Sequence, residues 1–261
     1  MNIPYFELLN PIGFKVESIG RVHSPKLRDI CDKGYREYQY SLSLMIMTPK
    51  EYFESIMKYS GLKENPYDLM TDDQKREINM FDIFVESSST RESIRLALSF
   101  FIEGNIEWEQ SCKAFLVNPS KEKDSITADG VINSGNWLQV CDVCLKCAYI
   151  DSPKVQRPKK YRDERTRKKF EEFYKKKEEF EKNKRANKKA NPDYELANII
   201  SSLATYHQSL NMSNIWDLTV YQIHDTFNRQ RMKQQIDISD RNYSVWGGKD
   251  HKTDMWFEHI S

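Results

Sequence analysis

Between Lys154 and Lys189 the chain carries 17 Lys or Arg against 7 Asp or Glu, a local balance of +10. A stretch of that composition cannot build a hydrophobic core, so it divides whatever else folds. The remainder holds 23 basic residues against 32 acidic ones, and the total of +1 hides that asymmetry. Pro153 and Pro158 mark the start of the division, and Asn191-Pro192 marks its end, because the residue before a proline is steered out of helical geometry. The 261 residues are therefore predicted to form an N-terminal helical domain with a small sheet over 1–152, a lysine-rich charged helix or linker over 153–191, and a small helical C-terminal domain over 192–261. The expected fold class is mainly α, of the α+β kind. Within the charged part, Phe170, Phe173, Tyr174 and Phe180 make one narrow apolar stripe. Lys175, Lys176 and Lys177 form a like-signed run relieved by Glu pairs one turn away. These seven are the candidate partner-binding residues of a long exposed helix.

Local signals place the other elements. Phe14 to Gly20 alternates roughly and predicts a short strand. Ser24 as N-cap with Pro25 at the first helical position predicts a short helix, and Tyr35 to Met47 predicts a second, with Tyr38, Tyr40, Leu42 and Met45 as its apolar residues. Thr48-Pro49-Lys50-Glu51 is a capping box opening a helix to Tyr59. Thr71-Asp72-Asp73-Gln74 opens another through Phe81 and Ile83. Ser89 to Gly104 is expected to be the central buried helix, apolar on nearly all sides. Glu107 to Val117 and Ile126 to Ile132 read as two strands, and Asn136 to Ile150 as a helix.

After the charged part, Asp193 to Tyr206 predicts an amphipathic helix facing inward through Leu196, Ile199, Ile200 and Leu203. Thr219 and Gln222 form a capping box, Leu218 and Ile223 have the spacing of a hydrophobic staple, and Val220, Ile223 and Phe227 share one apolar face. A helix must start there. Ile236 to Trp246 closes on Gly247-Gly248, and the aromatic segment Met255 to Ile260 is expected to dock.

Chemical motifs are sparse. Cys141, Cys144 and Cys147 form a C-x2-C-x2-C run, the weak metal candidates of the chain, but no fourth ligand follows, and on a helix they serve as small buried hydrophobes. The five histidines are scattered, and nine glycines leave little room for a phosphate-cradling loop. No cofactor is implied, and no catalytic constellation is recognisable in the chain. The opening residues lack the pattern of a secretion signal and no stretch is apolar enough to span a bilayer, so the expectation is a soluble intracellular protein without membrane contact. Five cysteines fit a reducing compartment. The basic segment could instead neutralise phosphates while its aromatic stripe stacks on bases, which keeps nucleic-acid binding as the alternative.

Two blocks carry a resemblance. Ile19 to Ile30, reading Ile-Gly-Arg-Val-His-Ser-Pro-Lys-Leu-Arg-Asp-Ile, resembles the opening of tail-region proteins from tailed phages and prophages of Gram-positive bacteria. Ile215 to Phe227, with Trp246-Gly247-Gly248-Lys249-Asp250 and Trp256-Phe257 after it, looks like their C-terminal part. A lysine-rich helix such as Arg165 to Lys189 precedes that part in such proteins. The resemblance implies a bacteriophage virion-morphogenesis protein of the tail assembly chaperone kind, which coats the tape-measure protein until tail-tube subunits polymerise around it. It implies no catalysis, the host cytoplasm as location, the tape-measure or tail-tube protein as partner, and leaves room for self-association or for a structural tail or neck role in the virion. The matching positions are helix caps and core positions, so no functional residue is carried over.

Overall fold

The structure is a computed structural model that describes residues 1–61, 63–122, 125–150, 165, 169–170, 173 and 195–247. Its fold is mainly helical, of the α+β kind. The first half runs α1 (Tyr5–Leu9), β1 (Phe14–Val16), β2 (Gly20–Val22), α2 (Leu27–Lys33), α3 (Tyr35–Ile46), α4 (Pro49–Ser60), α5 (Pro66–Leu69), α6 (Asp72–Glu77), α7 (Met80–Glu86) and α8 (Ser88–Ser99). Capping decides several of these boundaries. Thr48 Oγ1 accepts from Glu51 N at 3.3 Å while Glu51 Oε2 accepts from Thr48 N at 2.9 Å, so α4 opens as its capping box predicts. The box at Thr71 also forms, but its helix stops at Glu77 rather than running through Phe81. Asn79 interrupts it, accepting from Phe81 N at 2.9 Å and donating to Ser134 O at 2.9 Å. That second cap restarts the chain as α7, which turns Met80, Phe81 and Phe84 into the core.

The strands are shorter and more numerous than the sequence pattern suggests. β1 and β2 form a hairpin in place of one strand, turning at Ser18 with φ +67°. β3 (Ile106–Glu109) and β4 (Ala114–Val117) split the expected single strand, and Trp108 and Phe115 face each other across the pair at 5.0 Å between ring centroids. β5 (Ser120–Glu122) pairs with β6 (Ser125–Thr127), and β7 (Gly130–Ile132) adds to β4 with Leu116 opposite Val131. Gly130 permits the closest approach in this layer. A Cβ there would lie 2.2 Å from Ile19 O, while the next residue's N–H donates to Ser18 O at 2.8 Å. α8 ends at Ser99 because Phe100 to Ile102 leave it to meet the hairpin, with His23 N donating to Phe101 O at 2.8 Å.

The core forms around α9 (Trp137–Cys147), where Trp137, Val140, Cys141, Val143, Cys144, Leu145 and Cys147 are all buried. Trp137 sits against Phe81 at 5.6 Å and Phe84 at 6.5 Å. Beyond the charged segment, α10 (Leu196–Tyr206) and α11 (Val220–Trp246) follow. Ile199, Ile200, Leu203, Ile215, Val220 and Ile223 enter the same hydrophobic cluster as Trp137 and Leu98. The expected domain boundaries at 152/153 and 191/192 lie outside the described residues.

Candidate functional site

The backbone N–H groups of Thr219 to Gln222 are all answered, and half of the answers come from near the other end of the chain. Gln222 N donates to Thr219 Oγ1 at 3.2 Å and Thr219 N to Gln222 Oε1 at 3.0 Å, completing the capping box read from the sequence. Val220 N donates to Pro25 O at 2.9 Å and Tyr221 N to Ser24 Oγ at 3.0 Å. First-turn N–H groups have no partner within a helix, and here three of them are met by two segments almost two hundred residues apart. Ser24, 2% exposed, also donates to Cys147 O at 2.7 Å, so a single hydroxyl joins α9 to α11. The sequence reading of Ser24 as the cap of its own helix is corrected here: α2 begins at Leu27 behind Lys26, with no side-chain cap. Gln222 Nε2 reaches Leu9 O at 2.9 Å, and Leu27 N reaches Leu218 O at 3.0 Å.

One turn further on, a polar and aromatic cluster fastens α11 to the body. Tyr5 Oη donates to Asp225 Oδ1 at 2.7 Å, while Arg229 donates through Nη2 to Tyr5 Oη at 2.8 Å and through Nε to Asp225 Oδ2 at 3.2 Å. Asp225 is 6% exposed, and a buried carboxylate of that kind persists only with such partners. Burial, then the hydrogen bond to Asp225, raises the Tyr5 phenol above its ordinary value, and the hydrogen bond with Tyr5 raises the Arg229 guanidinium. Burial is also the main reason that the Tyr221 phenol is raised, with Tyr149 and Asp225 adding to it. Tyr149 lies in the left-handed region at φ +59°, just after α9, where Ile150 N bonds Leu145 O at 2.8 Å and Tyr149 N bonds Lys146 O at 3.0 Å. This is a Schellman ending, a place that favours glycine. A tyrosine there costs about 1 kcal/mol of backbone strain, offset by what the ring does: it stacks on His224 at 5.1 Å and 9°, lies 5.0 Å from Tyr221, and its hydroxyl accepts from Asn228 Nδ2 at 2.9 Å. Sequence reasoning missed this cluster; the i,i+4 spacing of Asp225 and Arg229 was the one signal available.

The chemistry of the cluster is attachment. Tyr5, Asp225 and Arg229 bond to one another, and none of the three lines either of two open depressions on the surface. One, of about 440 Å³, is lined by Met1, Ile3, Glu7, Asn10 and Phe14 among others; the second, of about 220 Å³, lies between Tyr206 of α10 and Phe227, Gln230 and Gln234 of α11. Cys141, Cys144 and Cys147 are each 0% exposed within the core. Burial pushes the Cys147 thiol up to about 12 and the Cys144 thiol well above its ordinary value, so both are held as neutral packing groups. Among the described residues no three His, Cys, Asp or Glu come together as a metal cluster.

Apolar side chains face outward in several places, Phe6, Ile12, Tyr59 and Leu69 among them, and two such regions concern the charged segment and α11. Arg165, Lys169, Phe170 and Phe173 are helical, with Phe170 42% and Phe173 58% exposed. Tyr174, Lys175, Lys176, Lys177 and Phe180 lie outside the described residues, as does the aromatic segment Met255 to Ile260. The other region is the far end of α11, which continues as one helix where the sequence suggested two pieces. From Asp237 to Trp246 every residue is exposed, including Ile238, Tyr243, Val245 and Trp246.

Residues 184–261, which include α10 and α11, match the family model described as the YomV second domain. That similarity is consistent with a phage-associated protein. No curated protein and no solved structure matches the chain. Among the described residues no helix is long and apolar enough to cross a membrane.

Proposed function

We propose that this chain is a non-enzymatic phage morphogenesis protein of the tail assembly chaperone kind, which binds the tape-measure protein or tail-tube subunits before they assemble. The observation that carries the proposal is the exposed apolar end of α11, lying in the segment that matches the phage-associated domain. A chaperone for a long helical client holds it through apolar anchors at helical spacing. Ile238 and Val245, 58% and 70% exposed, are two such anchors one heptad apart, and the exposed Phe170 and Phe173 are two more, one turn apart. The packed start of α11 gives Ile238 and Val245 a fixed base.

The test is co-expression of the tagged full-length chain with the tape-measure protein of the phage that encodes it. The expected result is a soluble complex whose recovery falls about tenfold when Ile238 and Val245 are both replaced by Glu. Recovery of the chain as a stoichiometric component of mature virions would overturn the chaperone role in favour of a structural tail or neck protein. Capture of DNA or RNA that is released by salt or nuclease, with no tail protein, would overturn it in favour of nucleic-acid binding through Lys154 to Lys189.

A further inference from the structure

The exposed half of α11 carries a pattern that the client-binding reading leaves unused. Met232, Ile236, Ser239, Tyr243 and Trp246 follow one another at intervals of four, three, four and three residues. That is the spacing of a coiled-coil seam, with Ile236 and Tyr243 as a positions and Met232, Ser239 and Trp246 as d positions. The seam lies on the side of the helix that, nearer its start, holds Tyr221, Asp225 and Asn228 toward Tyr5 and Tyr149. The body therefore covers this face as far as Arg229, and the heptad pattern takes over where that cover ends. Exposure rises along the seam: Met232 and Ile236 are half-buried, Tyr243 is 46% and Trp246 84% exposed.

We propose that this seam is a self-association surface, and that its occupant is the same seam of a second copy of this chain, running antiparallel about a two-fold axis. Charge decides the orientation. When Ile236 is set against Ser239 of the second copy and Met232 against Tyr243, the flanking e positions bring Lys233 beside Asp240, twice by symmetry. Lys233 and Asp240 are both exposed. A parallel pair would instead set Asp240 against Gln235 and bring no opposite charges together. Length agrees as well. The antiparallel overlap puts Trp246 level with Arg229 of the second copy, the point at which the body begins, so the helix from Arg229 to Trp246 is the overlap. Ile238 and Val245 lie on the opposite side of α11 and stay outside the pair.

The proposal stands apart from the client: it is tested on the purified full-length chain alone, and either reading can fail without the other. Sedimentation velocity at micromolar concentration is expected to show a dimer. Replacing Ile236 and Trp246 together by Glu is expected to weaken it on the order of a hundredfold with unchanged far-ultraviolet circular dichroism, since both side chains lie outside the core. Lys233→Glu and Asp240→Lys should each weaken the dimer about tenfold by setting like charges together, and the double exchange should restore it. A monomer overturns the proposal. So does a dimer that survives the Ile236 and Trp246 replacements, and failure of the double exchange to rescue overturns the antiparallel register.

Discussion

At its start α11 has its first-turn N–H groups answered by Ser24, Pro25 and Thr219, and holds Val220 and Ile223 at 2% and 0% exposure. At its end, along the same unbroken helix, every side chain from Asp237 to Trp246 is exposed. The two halves owe their helical form to different causes. Burial of an Ile such as Ile223 contributes about 1.5–3 kcal/mol, whereas an isolated helix shorter than about 12–15 residues is marginal in water. The distal half is thus helical by extension from a nucleus that the core has already fixed, and it keeps its apolar residues available.

The largest expected difference is in cavity formation. Ile223→Ala should destabilise the protein by about 3 kcal/mol, with the surrounding core unable to collapse onto the space. Ile238→Ala should change stability by less than about 0.5 kcal/mol. Urea unfolding of the full-length chain measures both, and equal costs would erase the distinction between the halves. Native-state hydrogen exchange gives the same contrast amide by amide: residues 237–247 should exchange about a hundredfold faster than 223–232, because only the first half is opened through the core. If the seam pairs, protection of the distal half rises with protein concentration while the first half stays constant.

A smaller contrast separates two serines on the same structural pair of ends. Ser24→Ala leaves both Tyr221 N–H and Cys147 C=O without their partner in a buried place, and should cost about 2 kcal/mol. Ser244→Ala removes an exposed hydroxyl that donates to Asp240 O at 2.7 Å, and should cost almost nothing. Thiol labelling adds a local readout. Cys31 and Cys112 are exposed while Cys141, Cys144 and Cys147 are buried, so two thiols should react in the native protein and the other three only on opening. Ser24→Ala should speed labelling of Cys147 specifically; an unchanged rate would mean that this serine does not hold α9 and α11 together.

What the sequence discloses and what it hides follow from the range of the interactions. The capping boxes at Thr48, Thr71 and Thr219 were legible because donor and acceptor sit three residues apart. The inward faces of α9 and α10 were legible from their spacing. Ser24 was misread for the opposite reason: its partners are at Tyr221 and Cys147, and a serine before a proline looks like a local cap until that distant demand is known. The split of the expected strand over Glu107 to Val117 likewise depends on Trp108 meeting Phe115 across a hairpin. Tyr149 at a left-handed position gave no sequence signal, since only its contacts with α11 explain why glycine is not there. Of the candidate partner-binding residues, Phe170 and Phe173 are helical and exposed, whereas the apolar end of α11 was hidden inside a polar helix pattern.

The smallest effect concerns the hydroxyls around the start of α11. Burial first, then the neighbouring Tyr149 and Asp225, raises the Tyr221 phenol above its ordinary value of 10.0. Burial and Asp225 do the same for Tyr5. A group that binds its proton more tightly when folded contributes stability that is fully present below its unfolded value, and that contribution is lost as pH rises through the folded one. The attachment of α11 should therefore hold through neutral pH and weaken above about pH 10. Tyr221→Phe removes the proton that must be lost, so its stability should decline less steeply between neutral and strongly alkaline pH than that of the wild type. The buried Tyr38, also raised by desolvation, is common to both proteins and cancels in the comparison. Parallel alkaline unfolding curves for wild type and Tyr221→Phe would mean that this phenol remains solvated at the joint, and that the packing of α11 on Tyr149 is looser than the 5.0 Å ring separation implies.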